Sequence, residues 1–409
     1  MSKRKSSASA ESAAAASSAT EPDLARAQQL VLEMMAISAK SGEEAIVAKY
    51  IRELLLAAGA PADAITTDNA HKSALIKGDI GNLIFKLPGT IKGPRRMLSA
   101  HMDTVPICIG SQPKVEGKFV RSANPASGLG ADDRAGAATI LTAAREILER
   151  KLPHPPLTFC WFIQEEIGLQ GARYVQKSQL GKPAMCFNWD GGASEKITIG
   201  ATGGYRMVIE IDGLPAHAGI CPEKGVSAIS IASLAIADLA RDGWHGLVLK
   251  GKNRGTSNVG FIHGGEATNV VTDRVSLKAE ARSHDPKFRG QIIKAFEKAF
   301  QNAAKEIKSS EGKRGSVRID GRLDYEAFLI DSKEPCIQLA EAAVKDVGRQ
   351  PVQAVSNGGL DANWLNAHGI PTVTLGCGQV NVHTTSEMLD LAAYHDACRI
   401  ALRLATVSE

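Results

Sequence analysis

Short apolar runs alternate along this chain with longer stretches in which apolar residues return every three or four positions. Leu24, Leu30, Val31, Met34 and Met35 show the second pattern and predict an amphipathic helix over residues 23–37. A second helix is expected over 42–58, with Ser41 as its cap ahead of the acidic pair Glu43-Glu44. Met97-Leu98-Ser99-Ala100 reads as the end of a buried strand, and a helix follows over 137–152. Residues 157–163 form a run of apolar and aromatic side chains, and Ala184-Met185-Cys186-Phe187 and Thr372-Val373-Thr374-Leu375 are shorter runs of the same kind. Strand and helix alternating in this way predict an α/β fold with a mostly parallel sheet. The last helix is expected to begin at Thr384, with Glu387 three residues on completing a capping box beside His383.

Between about residues 202 and 330 the pattern changes. Strands are expected over 204–211, 257–262, 270–282 and 316–328, with helices over 226–240 and 288–307. The order β-α-β-β-α-β is that of a ferredoxin-like α+β unit, with two helices on one face of an antiparallel sheet. This predicts an inserted lid: a Ser/Ala-rich disordered tail at 1–22, a first catalytic segment at 23–201, the lid at 202–330, and the catalytic domain resuming at 331–409.

Composition narrows the class. A chain of 409 residues exceeds what one hydrophobic core usually supports, so two domains are expected. The net charge of +4 is small, and no basic stripe interleaved with aromatics marks a nucleic-acid partner. No run of 18 apolar residues suggests a membrane span. The seven cysteines are scattered and form no C-x-x-C pair, which fits buried thiols in a reducing compartment. The Ser/Ala-rich start has no Leu, Val or Phe to build a secretory core, so a cytoplasmic location is expected.

The candidate chemistry follows the apolar runs. It lies in His101-Met102-Asp103, Gly130-Ala131-Asp132-Asp133, Gln164-Glu165-Glu166, Asn188-Trp189-Asp190 and Val382-His383-Thr384. Parallel α/β sheets place their sites beyond the carboxyl ends of the strands, where these segments are expected. Two imidazoles, three carboxylates and a spare glutamate suffice for two metal ions: each ion takes a His and a carboxylate, the third carboxylate bridges, and the spare glutamate serves as base. Ions roughly 3.5–4 Å apart can activate one water and polarise a carbonyl together. Asp103, two residues past His101, can accept the other imidazole N–H and fix the ring.

Taken singly, each motif has a plainer reading. A lone histidine at a strand end is usually a satisfied polar residue, Glu165-Glu166 alone reads as a solvated pair, and Asp132-Asp133 alone reads as a helix start. Gly128-Leu129-Gly130 invites a dinucleotide reading, but Asp133 stands where the third glycine belongs, and a carboxylate there would repel pyrophosphate. Only the set together points to a metal centre.

These motifs resemble those of the dinuclear-zinc peptidase family that includes peptidase T, carboxypeptidase G and aminoacylase. The similarity is strongest to the peptidase T-like, tripeptide aminopeptidase branch. It is carried by Ser99-Ala100-His101-Met102-Asp103-Thr104-Val105, Leu129-Gly130-Ala131-Asp132-Asp133-Arg134-Ala135-Gly136 and Gly358-Gly359-Leu360-Asp361-Ala362-Asn363. The resemblance implies that Asp132 bridges two ions, with His101 and Asp190 completing one and Glu166 and His383 the other. Glu165 would be the general base and Asp103 the orienting aspartate. Arg134 stands where the family usually has lysine, which keeps the charge. The resemblance also implies dimerisation through the insert, with His217 of Leu214-Pro215-Ala216-His217-Ala218-Gly219 reaching a partner's active site to support the oxyanion. Asn269 and Arg282 fall at positions associated with substrate binding, and a guanidinium can grip a peptide's terminal carboxylate.

The expected function is hydrolysis of small peptides by a homodimeric metallopeptidase, foremost a tripeptide aminopeptidase. Zinc is the expected ion, though cobalt and manganese suit the same ligands. A carboxypeptidase or N-acyl amino acid deacylase of the same family is the alternative. A non-catalytic binding module on this scaffold is the remote third, and the presence of every ligand and of the base counts against it.

Overall fold

The computed structural model describes residues 21–406. Residues 1–20 of the expected tail and the last three residues of the chain lie outside the described residues. The chain divides into two compact units. One comprises the chain up to Gly200, Leu329–Ser356 and the chain from Leu360; the other comprises Ala201–Phe328 and Asn357–Gly359.

The first unit opens with α1 (Leu24–Ala36) and α2 (Ala45–Ala57), then β1 (Ile65–Thr67), β2 (Leu83–Leu87) and β3 (Arg96–His101). A hairpin of β4 (Pro113–Glu116) and β5 (Phe119–Ser122) leads to α3 (Ala131–Arg150), β6 (Leu157–Phe162) and the single turn α4 (Gln170–Arg173). β7 (Met185–Trp189) and β8 (Lys196–Ala201) complete this part. The second unit holds β9 (Gly203–Asp212), α5 (Ala228–Arg241), β10 (Gly246–Lys250), β11 (Asn253–Gly264), β12 (Arg274–Ser283), α6 (Pro286–Glu306) and β13 (Ser316–Tyr325). After β14 (Phe328–Leu329) at the junction, the first unit resumes with α7 (Pro335–Asp346), β15 (Val352–Ser356), α8 (Asp361–Ala367) and β16 (Thr372–Leu375). It closes with β17 (Gln379–Val380), β18 (Met388–Asp390) and α9 (Leu391–Thr406).

A nine-stranded sheet in the order β1-β2-β6-β3-β7-β16-β8-β14, with β15 also on β8, forms the spine of the first unit. Its centre is parallel: β6, β3, β7 and β16 run the same way, and β2 and β8 flank them antiparallel. Leu98 lies opposite both Phe159 and Phe187, so the central strands bury continuous apolar runs, as parallel strands covered on both faces do. α1 buries Ala27, Leu30, Val31, Met34 and Met35, and Asp23 caps it by accepting the Arg26 N–H. α3 is buried along most of its length, and between Ala135 and Ala144 it carries only Ala, Gly and Thr apart from Ile140 and Leu141. Small residues on every face let a helix pack centrally without a polar stripe.

The second unit has its own core. Its antiparallel sheet runs β10-β11-β12-β9-β13. α6 turns Phe288, Ile292, Phe296 and Phe300 inward at four-residue spacing, each buried aromatic contributing roughly 1.5–3 kcal/mol by burial. The order is β-α-β-β-β-α-β, one strand more than the periodicity predicts. The extra strand, β10, is joined to β11 by a tight turn in which Gly251 takes φ +61°, a conformation glycine adopts without steric cost. Its short Leu247-Val248-Leu249 run has no alternation to mark it as a strand.

Two predicted helix starts are corrected. α2 begins at Ala45 and receives no side-chain cap, because Ser41 instead donates to Asp103 at 2.7 Å. The last helix begins at Leu391, seven residues after Thr384, because Met388–Asp390 pairs as a strand with β5 and β17. Glu387 therefore completes no capping box. A third, four-stranded sheet, β17-β18-β5-β4, accounts for both changes and leaves no simple period in the sequence.

Candidate metal centre and active site

The site of the first unit assembles where β3, β6 and β7 end. His101 is the last residue of β3, Glu165 and Glu166 follow β6, and Asp190 directly follows β7. Two groups arrive by other routes. Asp132 comes from the unwound first turn of α3, where Asp132 and Asp133 have non-helical dihedrals. His383 lies in the loop between β17 and β18 with a left-handed φ of +63°.

Asp132 stands between the two imidazoles. Its Oδ1 lies 3.1 Å from His101 Nε2 and its Oδ2 lies 3.2 Å from His383 Nε2. Glu166 faces His383, with its oxygens 3.0 and 3.1 Å from the same Nε2. Glu165 turns the other way, its Oε2 4.0 Å from His101 Nε2. The adjacent glutamates thus address different imidazoles. Asp190 feels Asp132 and His101 and is bonded to Gln379; burial and then Asp132 push its pKa up to about 6. His101, Asp132 and Glu166 each bring one ligand atom within 4.8 Å of the others.

Beneath these groups, Asp103 sits fully buried with its Oδ1 3.3 Å from His101 Nδ1. It also accepts the backbone N–H of Glu165 at 3.0 Å, that of Glu166 at 3.2 Å, and the Ser41 hydroxyl. Asp103 therefore orients the first imidazole through its backbone carbonyl, 3.1 Å from Nδ1, as well as its carboxylate, and the carboxylate holds the turn bearing both glutamates. Arg134 is equally buried, and its guanidinium donates to the carbonyls of Met102, Ile37 and Ala39. Burial lowers its pKa to about 10 against the pull of Asp103, Glu44 and Asp133.

The electrostatics fit divalent cations. Burial pushes the carboxyl of Glu165 well above its usual range and that of Glu166 to about 7, with neighbouring carboxylates adding to both. His383 is raised to about 10 by its bonds to Asp132 and Glu166. His101 is raised against its burial by Asp103 and Asp132. A pocket this rich in carboxylate draws positive charge, and its imidazole and carboxylate donors suit zinc, cobalt or manganese.

Several site residues carried no functional assignment from sequence. Asp133, joined to Asp132 by a cis peptide, accepts the His101 and Gly136 N–H groups and the Gln379 amide. Glu44 accepts the N–H groups of Gly42 and Gln164, just before the glutamate pair. Asp361, the first residue of α8, is buried with neither carboxylate oxygen bonded, and burial drives its pKa well up. Glu387 accepts the N–H groups of Leu129, Gly130 and Asp132. Acidic pairs at Glu43-Glu44 and Asp132-Asp133 were the available sequence signal; Glu387 was read only as a helix cap, and Asp361 only as part of a motif with no role assigned.

The remaining candidates belong to the second unit. His217 is exposed, and its Nδ1 accepts the Gly219 N–H at 3.1 Å. Asn269 is exposed, and its backbone carbonyl accepts the Ala218 N–H, so it anchors the loop of His217. Arg282 is engaged along its own strand: Nε and Nη2 donate to the two oxygens of Glu280, each at 3.0 Å.

A parallel-centred α/β sheet ending in paired imidazoles and carboxylates is the architecture of a metal-dependent hydrolase. The model of peptidase family M20/M25/M40 matches residues 97–407, and the chain belongs to that family. It is 32% identical to the uncharacterised Bacillus subtilis protein YqjE over 88% of this chain and 92% of the relative. A tripeptidase from Staphylococcus aureus superposes with a TM-score of 0.84 at 30% identity, covering 94% of this chain and 98% of that one. The aminopeptidase PepT from Bacillus cereus gives 0.80 at 29% identity, with coverages of 94% and 98%. The protein is a metal-binding peptidase. Among the described residues, no helix is long and apolar enough to cross a membrane.

Proposed function

We propose that the protein is an aminopeptidase acting on tripeptides through a dinuclear centre, with zinc as the resident ion. The observation that carries this reading is Asp132, whose two oxygens face two different imidazoles at 3.1 and 3.2 Å. Asp132 would be the shared ligand, with His101 and Asp190 on one ion and His383 and Glu166 on the other. Two divalent ions so held would acidify a water and polarise the scissile carbonyl. Glu165 would take a proton from the attacking water as the new C–O bond forms and then hand it to the amine nitrogen as the C–N bond breaks. Asp103 fixes the His101 ring and the glutamate turn while this occurs.

The similarity to a tripeptidase and to an aminopeptidase supports the substrate class. The segment 202–330 is read as a lid and dimerisation domain, with His217 and Asn269 at the substrate and Arg282 on its terminal carboxylate. All seven cysteines are free thiols, which supports a reducing, cytoplasmic setting.

A panel of tripeptides assayed with added zinc, cobalt or manganese tests the reading. N-acetylation should abolish turnover and C-terminal amidation should raise KM. Release of acyl groups from blocked amino acids would sink the aminopeptidase assignment in favour of a deacylase. Glu165→Gln should keep both ions and lose several orders of magnitude in kcat; loss of an ion, or activity near wild type, would remove Glu165 from the role of base.

A further inference from the structure

Glu387 joins two parts of the site that are far apart in sequence. Its carboxylate is buried at 2% exposure. Oε2 accepts the N–H groups of Leu129 at 2.8 Å and Gly130 at 2.7 Å and faces the Cys108 thiol at 3.4 Å. Oε1 accepts the Asp132 N–H at 3.0 Å. These amides belong to the turn that starts α3, where Gly130 is left-handed and supplies no cap. A helix start leaves its first N–H groups without intrahelical partners, and a carboxylate there is further favoured by the helix dipole. The cap that the turn lacks locally is brought by a side chain more than 250 positions away.

That side chain lies four residues after His383, in the same short loop. The loop is held on its other side by β17 and β18, with Gln379 opposite Leu389 and Val380 opposite Met388. Asn381 and His383 both take left-handed φ values, and the Thr384 hydroxyl donates to the Asn381 carbonyl within the loop. Packing between the two segments is close: a Cβ on Gly128 would sit 3.0 Å from the Thr384 carbonyl oxygen and 3.1 Å from Glu387 Oε2.

We propose that Glu387 is the positioning residue that ties the Asp132 turn to the His383 loop and so sets Asp132 between its two imidazoles. The inference rests on the dinuclear reading given above. Glu387 acts through the backbone beside one ligand and the loop of another. Replacing it by glutamine keeps the size but turns an amide NH₂ toward backbone N–H donors on one side of the fork, which breaks the strap while sparing the ligands themselves.

The test is zinc binding by chelator competition on the full-length protein, comparing wild type with Glu387→Gln. Wild type should bind two ions. The variant should bind both ions more weakly, because Asp132 would serve both, and the ion on the His383 side about 10–100-fold more weakly, as is typical when a group supporting a ligand is lost. It should regain most of its kcat when zinc is raised to saturation, which a general folding defect would not allow. Equal affinities in the two proteins would overturn the role of Glu387 alone. Fewer than two ions on wild type would overturn the dinuclear reading, and this role with it. Hydrogen exchange on metal-free wild type gives a second measure that needs no variant. The peptide carrying Leu129, Gly130 and Asp132 should be protected before any zinc is added; protection that appears only with zinc would show that the ion, not Glu387, orders the turn.

Discussion

Asp132 owes its position to its neighbours more than to its own helix. Its N–H is held by Glu387, and Asp133 beside it ties down the end of β3 through the His101 N–H. Because its two oxygens face separate imidazoles, Asp132→Ala should reduce occupancy at both metal positions. Asp190→Ala or His383→Ala should weaken mainly one. Mass spectrometry of the purified variants decides this: two ions retained in Asp132→Ala would refute the shared role. The residues facing the proposed ions were readable in sequence because each stands a few residues beyond an apolar run or in a short acidic or imidazole motif. The residues that hold them were not. Ser41 and Glu44 look like helix-start residues, yet Ser41 bonds to Asp103 and Glu44 to the Gln164 N–H. Contacts of this kind span tens to hundreds of positions and leave no local period.

Among the elements, α3 and β7 each carry or adjoin a candidate ligand, Asp132 and Asp190. Gly136, in the second turn of α3, packs tightly against the end of β7: a Cβ there would lie 2.4 Å from the Trp189 carbonyl oxygen and 2.4 Å from Asp133 Oδ1. Neither can retreat easily, since one is backbone at the end of β7 and the other is bonded to His101. Gly136→Ala should gain about 1 kcal/mol of helix propensity and lose more, within the ~1–3 kcal/mol typical of overpacking. A lower melting temperature is expected, together with weaker zinc binding, because Asp190 immediately follows Trp189. A variant as stable as wild type would show that the two elements can part without cost. Elements with a clear period, such as α1, α6 and β16, were legible within a residue or two. Short strands, β10 and those of the β17-β18-β5-β4 sheet, were not, because a two- to five-residue strand is specified by its partner and not by its own pattern.

At the scale of the whole molecule, the proposed function asks whether the second unit completes an active site and on which chain. The His217 loop is held by its own backbone contacts. Its backbone bridges to Val270, and the Ala218 N–H is held by the Asn269 carbonyl. Nδ1 accepts the Gly219 N–H, so a neutral ring carries its proton on Nε2 as a donor. A single donor aimed at a developing oxyanion is worth about 10²–10³ in kcat, and His217→Ala should cost about that much while leaving metal content intact. Mixing separates the two possible addresses of the ring. A homodimer assembled from one His217→Ala chain and one Glu165→Gln chain can rebuild a single complete site only if His217 serves its partner, for then the metals and base of the first chain meet the imidazole of the second. Two variants that are each nearly inactive should therefore recover up to half of wild-type activity per mixed dimer, with the yield following the rate of subunit exchange. Exchange without recovery would place His217 at its own chain's site or at none. An active enzyme that light scattering shows to be strictly monomeric would rule out the shared site altogether.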